Sequence, residues 1–435
     1  MNLPEKHNLA LAKLSFRQKY IWRNFCNKEG VIDPIISFSY HVNGKLNIKK
    51  LKKALANLLD RHNILKLSVC NDNDEVFSYY KNPKSITINI IHLENVAKNE
   101  QNTLIAQYDD SEPRKPINLS YDLPIRITIL KLAQTKCIIY TSIHHLIADG
   151  HSARILMREL FSHYFDETLI STTKPKQFED YVQQCTYNPN DILKAAWWIK
   201  QLTAPKLQEK TVQDEIEYKT QNIHSQNQQI ALCKKNYSLL KKHSLPSGFA
   251  MALLSMGLTL CHELDQKNIT ICFPFLGDRT NGHHETIGLF AVLIPICIDI
   301  NYDSTFISEL KHFSKRILDA YDYANMNDVT RTRVIALYNT NYANYVFQYH
   351  NKNTSEAIAK KADIQCDFRK FHTISSSIDI YFSLNEISDH QFNAYSYFRA
   401  GLYQPKEGQQ LITKIITNFK QFIRHPNKHI SEVLK

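Results

Sequence analysis

The most constraining stretch of the sequence is Ser142-Ile143-His144-His145-Leu146-Ile147-Ala148-Asp149-Gly150. Upstream, Lys136 to Ile143 reads as a strand, because Cys137, Ile138, Ile139 and Tyr140 form a run rich in β-branched and aromatic side chains. Downstream, Ile155, Leu156, Leu160, Phe161 and Tyr164 recur at three-to-four spacing, the period of an amphipathic helix, with Ser152 as its expected cap. Two histidines therefore leave the end of a strand, and an Asp-Gly turns the chain into a helix. Consecutive strand side chains point to opposite faces, so at most one of His144 and His145 looks into a given cleft. A neutral imidazole can take a proton from an incoming nucleophile near pH 7. Asp149 is expected to hold the turn in shape, and Gly150 to let the backbone turn tightly beside it.

Other segments fall into order around this one. Leu14-Ser15-Phe16-Arg17-Gln18-Lys19-Tyr20-Ile21-Trp22 reads as a helix start with Ser15 as N-cap. Ile35 to Val42 alternates like a strand. Asn47 to Leu59 is an amphipathic helix ending in Arg61-His62-Asn63-Ile64-Leu65-Lys66, where cationic side chains suit a helix C-terminus. Val76 to Ile91 holds one or two strands, and Ile127 to Leu132 another. Ile170 to Lys176 reads as a linker, and Lys206 to Gln228 as polar and exposed. Helices are expected over Phe178 to Gln184, Leu193 to Leu202, Phe249 to Leu264, Phe306 to Tyr321 and Gly408 to Ile423. Strands are expected at Ile269 to Phe273 and Tyr345 to Tyr349, with a hairpin from Asp379 to Tyr397. Between them lie Gly277-Asp278-Arg279 and Ile287-Gly288-Leu289-Phe290-Ala291-Val292-Leu293-Ile294-Pro295.

His-His-x-x-x-Asp-Gly between a strand and a helix resembles the condensation domains of nonribosomal peptide synthetases. More broadly, it resembles the acyltransferases that share the chloramphenicol acetyltransferase fold. Leu14-Ser15…Gln18…Trp22, Arg61-His62 and the pair Gly277-x-Arg279 and Ile287-Gly288-x-Phe290 are similar to further blocks of that family in the same order. The departures are Asn63 for Glu, Lys66 for Arg, Val292 and Leu293 for Asn-Thr, and no match to the block that follows Tyr321. Lys66 keeps a charge but loses the guanidinium fork.

The resemblance implies an α/β (α+β) fold of two acetyltransferase-like lobes, residues 1–172 and 173–435, in a V-shaped pseudo-dimer with a tunnel between them. It implies that His145 orients or deprotonates an acceptor and that the Gly150 N–H helps hold an oxyanion. His144, Asp149 and Arg279 would be structural, the last two pairing across the lobes. The implied reaction transfers an acyl group from a carrier-protein thioester to an amine or alcohol, free or carrier-bound. The substrate would ride on a phosphopantetheine arm, with no cofactor or metal bound by the enzyme. An acyl-CoA-dependent acyltransferase and a non-catalytic carrier-binding module are the alternatives. The intact motif speaks against the second. A metal site at His144, His145, Asp149 and His151, or at His283, His284 and Glu285, is disfavoured because adjacent extended residues diverge.

Composition sets the surroundings. At 435 residues with 43% hydrophobic content, the chain has material for two large cores. The Met1–His7 start lacks the apolar run of a signal peptide, and no apolar run reaches a membrane span. Nine scattered cysteines without a C-x-x-C pair suit reduced thiols in a cytoplasm rather than a disulfide framework, and the chain is expected to be a monomer. The net charge of +11 comes without a nucleic-acid motif, and suits an acidic carrier protein instead. The chain stops where a condensation domain stops, so it reads as free-standing or excised.

Overall fold

A computed structural model of the chain describes residues 10–26, 34–72, 75–165, 173–184, 191–203, 226–242, 248–277, 279, 282–324, 326, 329–330, 334, 344–351, 359–361, 364–373, 378–398 and 403–435. The chain forms two compact units. The first comprises Met1–Thr186, Asp278–Ala291 and Glu356–Ser375; the second comprises Tyr187–Gly277, Val292–Ser355 and Ser376–Lys435. A single cut after residue 172 therefore does not describe the units. Helix Phe178–Gln184 belongs to the first, and so do two later excursions of the chain.

In the first unit a six-stranded sheet runs in the order Ala359–Lys361, Ile364–Thr373, Ile35–Gly44, Lys136–His144, Ile125–Ala133, Ile88–His92. Only the last pair is parallel. The strand Lys136–His144 is buried along its length after Lys136, as expected for a strand covered on both faces. Its alternate side chains part accordingly. Cys137, Ile139 and Ile143 join the main core with helices Ile48–Arg61 and Gly150–Tyr164. Ile138 and Tyr140 meet Leu104, Ile105 and Tyr108 of helix Lys98–Ser111 on the other face. Asn47 caps the helix that follows it, its Oδ1 accepting from Lys50 N at 3.1 Å.

Strand Ile364–Thr373 escapes a reading of hydrophobic runs, yet Ile364, Cys366 and Phe368 alternate with polar residues. It pairs antiparallel with Ile35–Gly44, from Ile364 opposite Gly44 to Thr373 opposite Ile36. Arg369 fastens it, donating through Nη1 and Nη2 to Asp109 at 2.5 and 2.6 Å. Asp109 also accepts from the Tyr140 hydroxyl at 2.7 Å.

The second unit holds a six-stranded sheet in the order Val292–Asp299, Asn268–Phe275, Tyr345–His350, Ile380–Ser388, Gln391–Phe398, Gln226–Ala231. Helices Phe249–Glu263, Phe306–Ala324 and Pro405–Arg424 pack into its core. Phe249–Glu263 is apolar around most of its circumference, as a fully covered helix must be, and Ala250 to Cys261 are all buried. Gln226–Ala231 is a strand and overlaps only the end of Lys206 to Gln228, the stretch expected to be polar and exposed; residues 204–225 lie outside the described residues.

One glycine in this core is there for space. A Cβ on Gly257 would stand 2.2 Å from Ile298 Cδ1 and 3.0 Å from its Cβ. Gly257→Ala is therefore expected to lower the unfolding free energy by about 1–3 kcal/mol through overpacking. Ile298→Val on that background should recover part of the loss in urea unfolding. An unchanged midpoint in the single variant would contradict the packing.

Candidate functional site

The strand ends at His144, and helix Gly150–Tyr164 begins six residues later. The turn between them is held from three directions. His145 N donates to Pro34 O at 2.6 Å, and Ile147 N to His144 O at 3.0 Å. From the first helix, Phe16–Phe25, Gln18 Nε2 donates to Leu146 O at 2.9 Å. Gln18 is buried and also completes a capping box: its Oε1 accepts from Ser15 N at 2.9 Å, and its N–H donates to Ser15 Oγ at 3.1 Å. The Leu-Ser-x-x-Gln block thus builds a helix start and braces the histidine turn with one side chain. Sequence reasoning saw the cap and missed the brace.

Asp149, rather than Ser152, is the N-cap, its Oδ1 accepting from Ser152 N at 2.8 Å. The correction has a physical reason: Ser152 lies inside the first turn, and its hydroxyl is committed elsewhere. It donates to Gly288 O at 2.8 Å and accepts from Gly288 N at 3.0 Å. Asp149 is 1% exposed and is saturated. Arg279 Nη2 straddles both carboxylate oxygens at 2.9 Å, and Oδ2 also accepts from Phe290 N at 3.1 Å and Ala291 N at 2.9 Å. Burial alone would push this carboxyl up; Arg279 and the Ser152 and Ala291 N–H groups outweigh it and hold it below the usual range. Arg279 spends Nη1 on Thr286 O at 2.7 Å and lies 4.1 Å over the Phe290 ring. Gly288 allows the close seat, since a Cβ there would stand 2.0 Å from Phe178 Cδ2.

The Asp149–Arg279 pair is internal to the first unit and does not tie two lobes together. Likewise the segment 278–291, expected in the second lobe, belongs with the motif. Its backbone N–H groups have their acceptors on Asp149 and Ser152, and Phe290 packs on Phe178 and Tyr181.

The histidines divide as strand alternation requires. His144 is buried; its Nδ1 accepts from Leu146 N at 3.1 Å, leaving Nε2 as the protonated nitrogen, 3.8 Å from Cys26 Sγ. Burial and then the neighbouring His145 lower its pKa to about 3. His145 is only partly buried, and its Nδ1 lies 2.8 Å from Ala148 O. A carbonyl only accepts, so Nδ1 carries the proton and Nε2 keeps its lone pair. Burial first, and the Arg17 guanidinium second, hold the His145 pKa below its ordinary value, so the ring is neutral at pH 7.

Gly150 does not need a glycine's dihedral freedom, because its φ is not positive. What it provides is space: a Cβ there would meet nothing within 4 Å. The expected reason, a tight backbone turn, is replaced by an open volume at the start of the helix.

Residues away from the turn have plainer roles. His62 is the C-cap of helix Ile48–Arg61, its N–H donating to Leu58 O at 2.9 Å with Arg61 in the last turn, while Arg61 Nε and His62 Nε2 also donate to Glu159 Oε2 at 3.0 and 2.7 Å and brace the helix against the motif helix. Tyr181 packs on His283 and Phe290. Trp198 is buried and donates to Tyr323 O at 3.0 Å. Val292 points into the core of the second unit. His283 lies 3.2 Å from Thr286 Oγ1, His284 is exposed, and Glu285 pairs with Arg158. Among the described residues no group of three or more His, Cys, Asp or Glu side chains is placed to hold a metal ion. No described helix is long and apolar enough to cross a membrane. Most of Asn325 to Leu337, where a family block is missing, lies outside the described residues.

Comparison with known proteins places this geometry. The sequence model of the Condensation domain family matches residues 11–434. A linear gramicidin synthase from Brevibacillus parabrevis is 22% identical over 441 residues, covering 97% of this chain and 8% of that protein. Surfactin synthase subunit 1 of Bacillus subtilis is 23% identical, covering 89% of this chain and 11% of that protein. The chain thus spans between 4% and 11% of the length of such curated relatives. Among solved structures, an X-domain from teicoplanin biosynthesis superposes with a TM-score of 0.78 at 15% identity, over 99% of this chain and 98% of that one. The condensation domain from Monacolin K polyketide synthase gives 0.75 at 14%, over 97% and 99%. These likenesses establish the two-lobe acetyltransferase-like fold.

Two stability predictions come from the buried groups. Asp149→Asn leaves Arg279 buried without its carboxylate and is expected to cost about 3–5 kcal/mol in urea unfolding at pH 7. The Asp149 carboxyl titrates lower in the folded chain than its unfolded value of about 3.9, so its contribution is present above that pH and is lost as pH falls through the folded value. His144 acts over a higher window. The unfolded imidazole binds a proton below about 6.5, and the folded one resists until about 3. Stability should therefore fall by up to about 1.4 kcal/mol per unit as pH drops between those values. His144→Gln, which keeps an acceptor for Leu146 N, should flatten that slope in a melting series from pH 7 to 4.

Proposed function

The chain belongs to the condensation-domain family, and from that premise we propose that it transfers an acyl group from a carrier-protein thioester to an amine or alcohol, forming an amide or ester. The donor would ride on the carrier's phosphopantetheine arm, with no cofactor resident in the enzyme. A net charge of +11 suits the approach of an acidic carrier, and free thiols suit a reducing cytoplasm.

The observation that carries the reading is the state of His145. Its Nδ1–H is committed to the Ala148 carbonyl, its Nε2 lone pair is unprotonated at neutral pH, and it is only partly buried. In the proposed step the acceptor nitrogen bonds to the thioester carbonyl carbon while its proton passes to His145 Nε2. The carbonyl oxygen becomes an oxyanion, for which the Gly150 N–H is the assigned donor. Collapse re-forms the carbonyl, breaks the C–S bond, and returns the proton to the departing thiolate. Asp149, His144 and Arg279 take no proton. They keep the turn, the helix start and segment 286–291 in register, so their role is positional.

The test is intact-mass measurement of an acyl-loaded carrier protein incubated with this protein and a panel of amines and alcohols. Loss of the acyl group to a nucleophile is expected, with His145→Ala slower by about 100- to 10,000-fold. Turnover with acyl-CoA but not with the carrier would favour a CoA-dependent acyltransferase. Carrier binding without any turnover would overturn the enzymatic reading. The pH profile supplies a second check. The acidic limb of kcat/KM should lie below 6.5, the ordinary imidazole value, because burial and the Arg17 charge lower the His145 pKa.

A further inference from the structure

Arg154 lies on the second turn of the motif helix and is partly buried, yet it has no hydrogen bond or ion pair among the described residues. The other partly buried arginines of this unit are spent. Arg61 is held by Glu159 and Thr173, Arg126 by Glu112, and Arg369 by Asp109. Burial disfavours the Arg154 charge, and Asp149 and Tyr40 offset that only in part. Asp149 cannot serve as its hydrogen-bond partner, because its oxygens already accept from Ser152, Arg279, Phe290 and Ala291. An arginine presents five N–H donors, and those of Arg154, partly buried and taken by no protein group among the described residues, are open to a ligand.

Position says what they serve. Arg154 and Gly150 are one turn apart on the same helix face, and a helical side chain leans back toward the preceding turn. Arg154 is therefore within reach of the turn at the start of the helix, where it interacts electrostatically with Asp149, and where a Cβ on Gly150 would meet nothing within 4 Å. Arg17 adds positive charge beside His145 while donating to the Ala291 carbonyl. Three guanidinium groups, of Arg17, Arg154 and Arg279, thus border the turn, against the one carboxylate of Asp149.

We propose that Arg154 binds a carboxylate of the acceptor, which makes the acceptor a free amino acid or a similar amine with a carboxylate close to the nucleophilic nitrogen. This rests on the reading of His145 as the group that receives the acceptor's proton. The carboxylate of an α-amino acid is one carbon from its amine, so an amine at His145 brings the anion to the same turn. A carrier-bound aminoacyl group has a neutral thioester in that place and would leave Arg154 unmet. The phosphate of the carrier arm sits at the far end of the arm from the reacting carbonyl. Guanidinium and carboxylate match as a planar fork, which an ammonium does not reproduce.

The experiment pairs each amino acid with its decarboxylated amine, such as phenylalanine with phenethylamine, against acyl-loaded carrier. The unaltered protein, Arg154→Met and Arg154→Lys are compared, with thermal melting to confirm that each variant is folded. The unaltered protein should favour the amino acid in kcat/KM by about 10- to 100-fold, the worth of a charge-assisted hydrogen bond. Arg154→Met should bring the ratio near one, and Arg154→Lys should fall between. Equal use of both acceptors by the unaltered protein, or an equal loss for both in Arg154→Met, would overturn the proposal. A preference that follows carboxylates on the acyl donor instead would overturn the assignment to the acceptor. Transfer to no acceptor at all would remove the condensation reading itself, an outcome distinct from loss of selectivity.

Discussion

A carboxylate that is almost wholly enclosed keeps its charge only when its lone pairs are met. Asp149 is in that state, and much of the site depends on it. It caps the motif helix, anchors Arg279, and receives the N–H groups of Phe290 and Ala291. Through those bonds one side chain fixes where the helix starts and where a segment well over a hundred residues later is laid. The turn that carries His145 is therefore supported from outside its own strand and helix. Gln18 adds a third support, from the first helix.

This arrangement gives the two histidines different fates on physical grounds. His144 turns inward, loses its water, and becomes a neutral packing element whose ring is set by the Leu146 N–H. His145 stays at the surface of the turn, with one nitrogen used for orientation and the other left as a base. A structural histidine and a reactive one can thus be neighbours in sequence, because strand geometry sends them apart. Asp149 and Ser152 at the centre of the network around them are saturated, and that makes the uncommitted donors of Arg154 informative. Arg279, although its Nε has no partner, is held through Nη1 and Nη2, whereas Arg154 is held by no protein group among the described residues, and an open guanidinium points to something the protein receives.

The wider fold places this site on a strand buried on both faces, so the histidine turn extends from one of the most constrained elements of the first unit. Strand Ile364–Thr373 extends the same sheet next to Ile35–Gly44, and that strand in turn pairs with the motif strand. The chain thus returns to the first unit twice after leaving it, which no hydrophobicity profile marks as a boundary.

The sequence by itself determined the local elements and the family. The motif strand, the amphipathic helices and the Ser15 cap follow from patterns a few residues long, because strand and helix periods are local properties. The His-His-x-x-x-Asp-Gly spelling and the Gly277-x-Arg279 and Ile287-Gly288-x-Phe290 blocks indicated which residues would gather. Tertiary structure alone decided how. It made Asp149 the cap instead of Ser152, since Gly288 claims the Ser152 hydroxyl. It turned Gly150 from a bend into an opening, and it placed Arg279 and its segment within the first unit. It also revealed Gln18 as a brace and Arg154 as an unanswered charge. Each of these depends on partners distant in sequence, and a one-dimensional pattern carries no record of which donors and acceptors have already been spent.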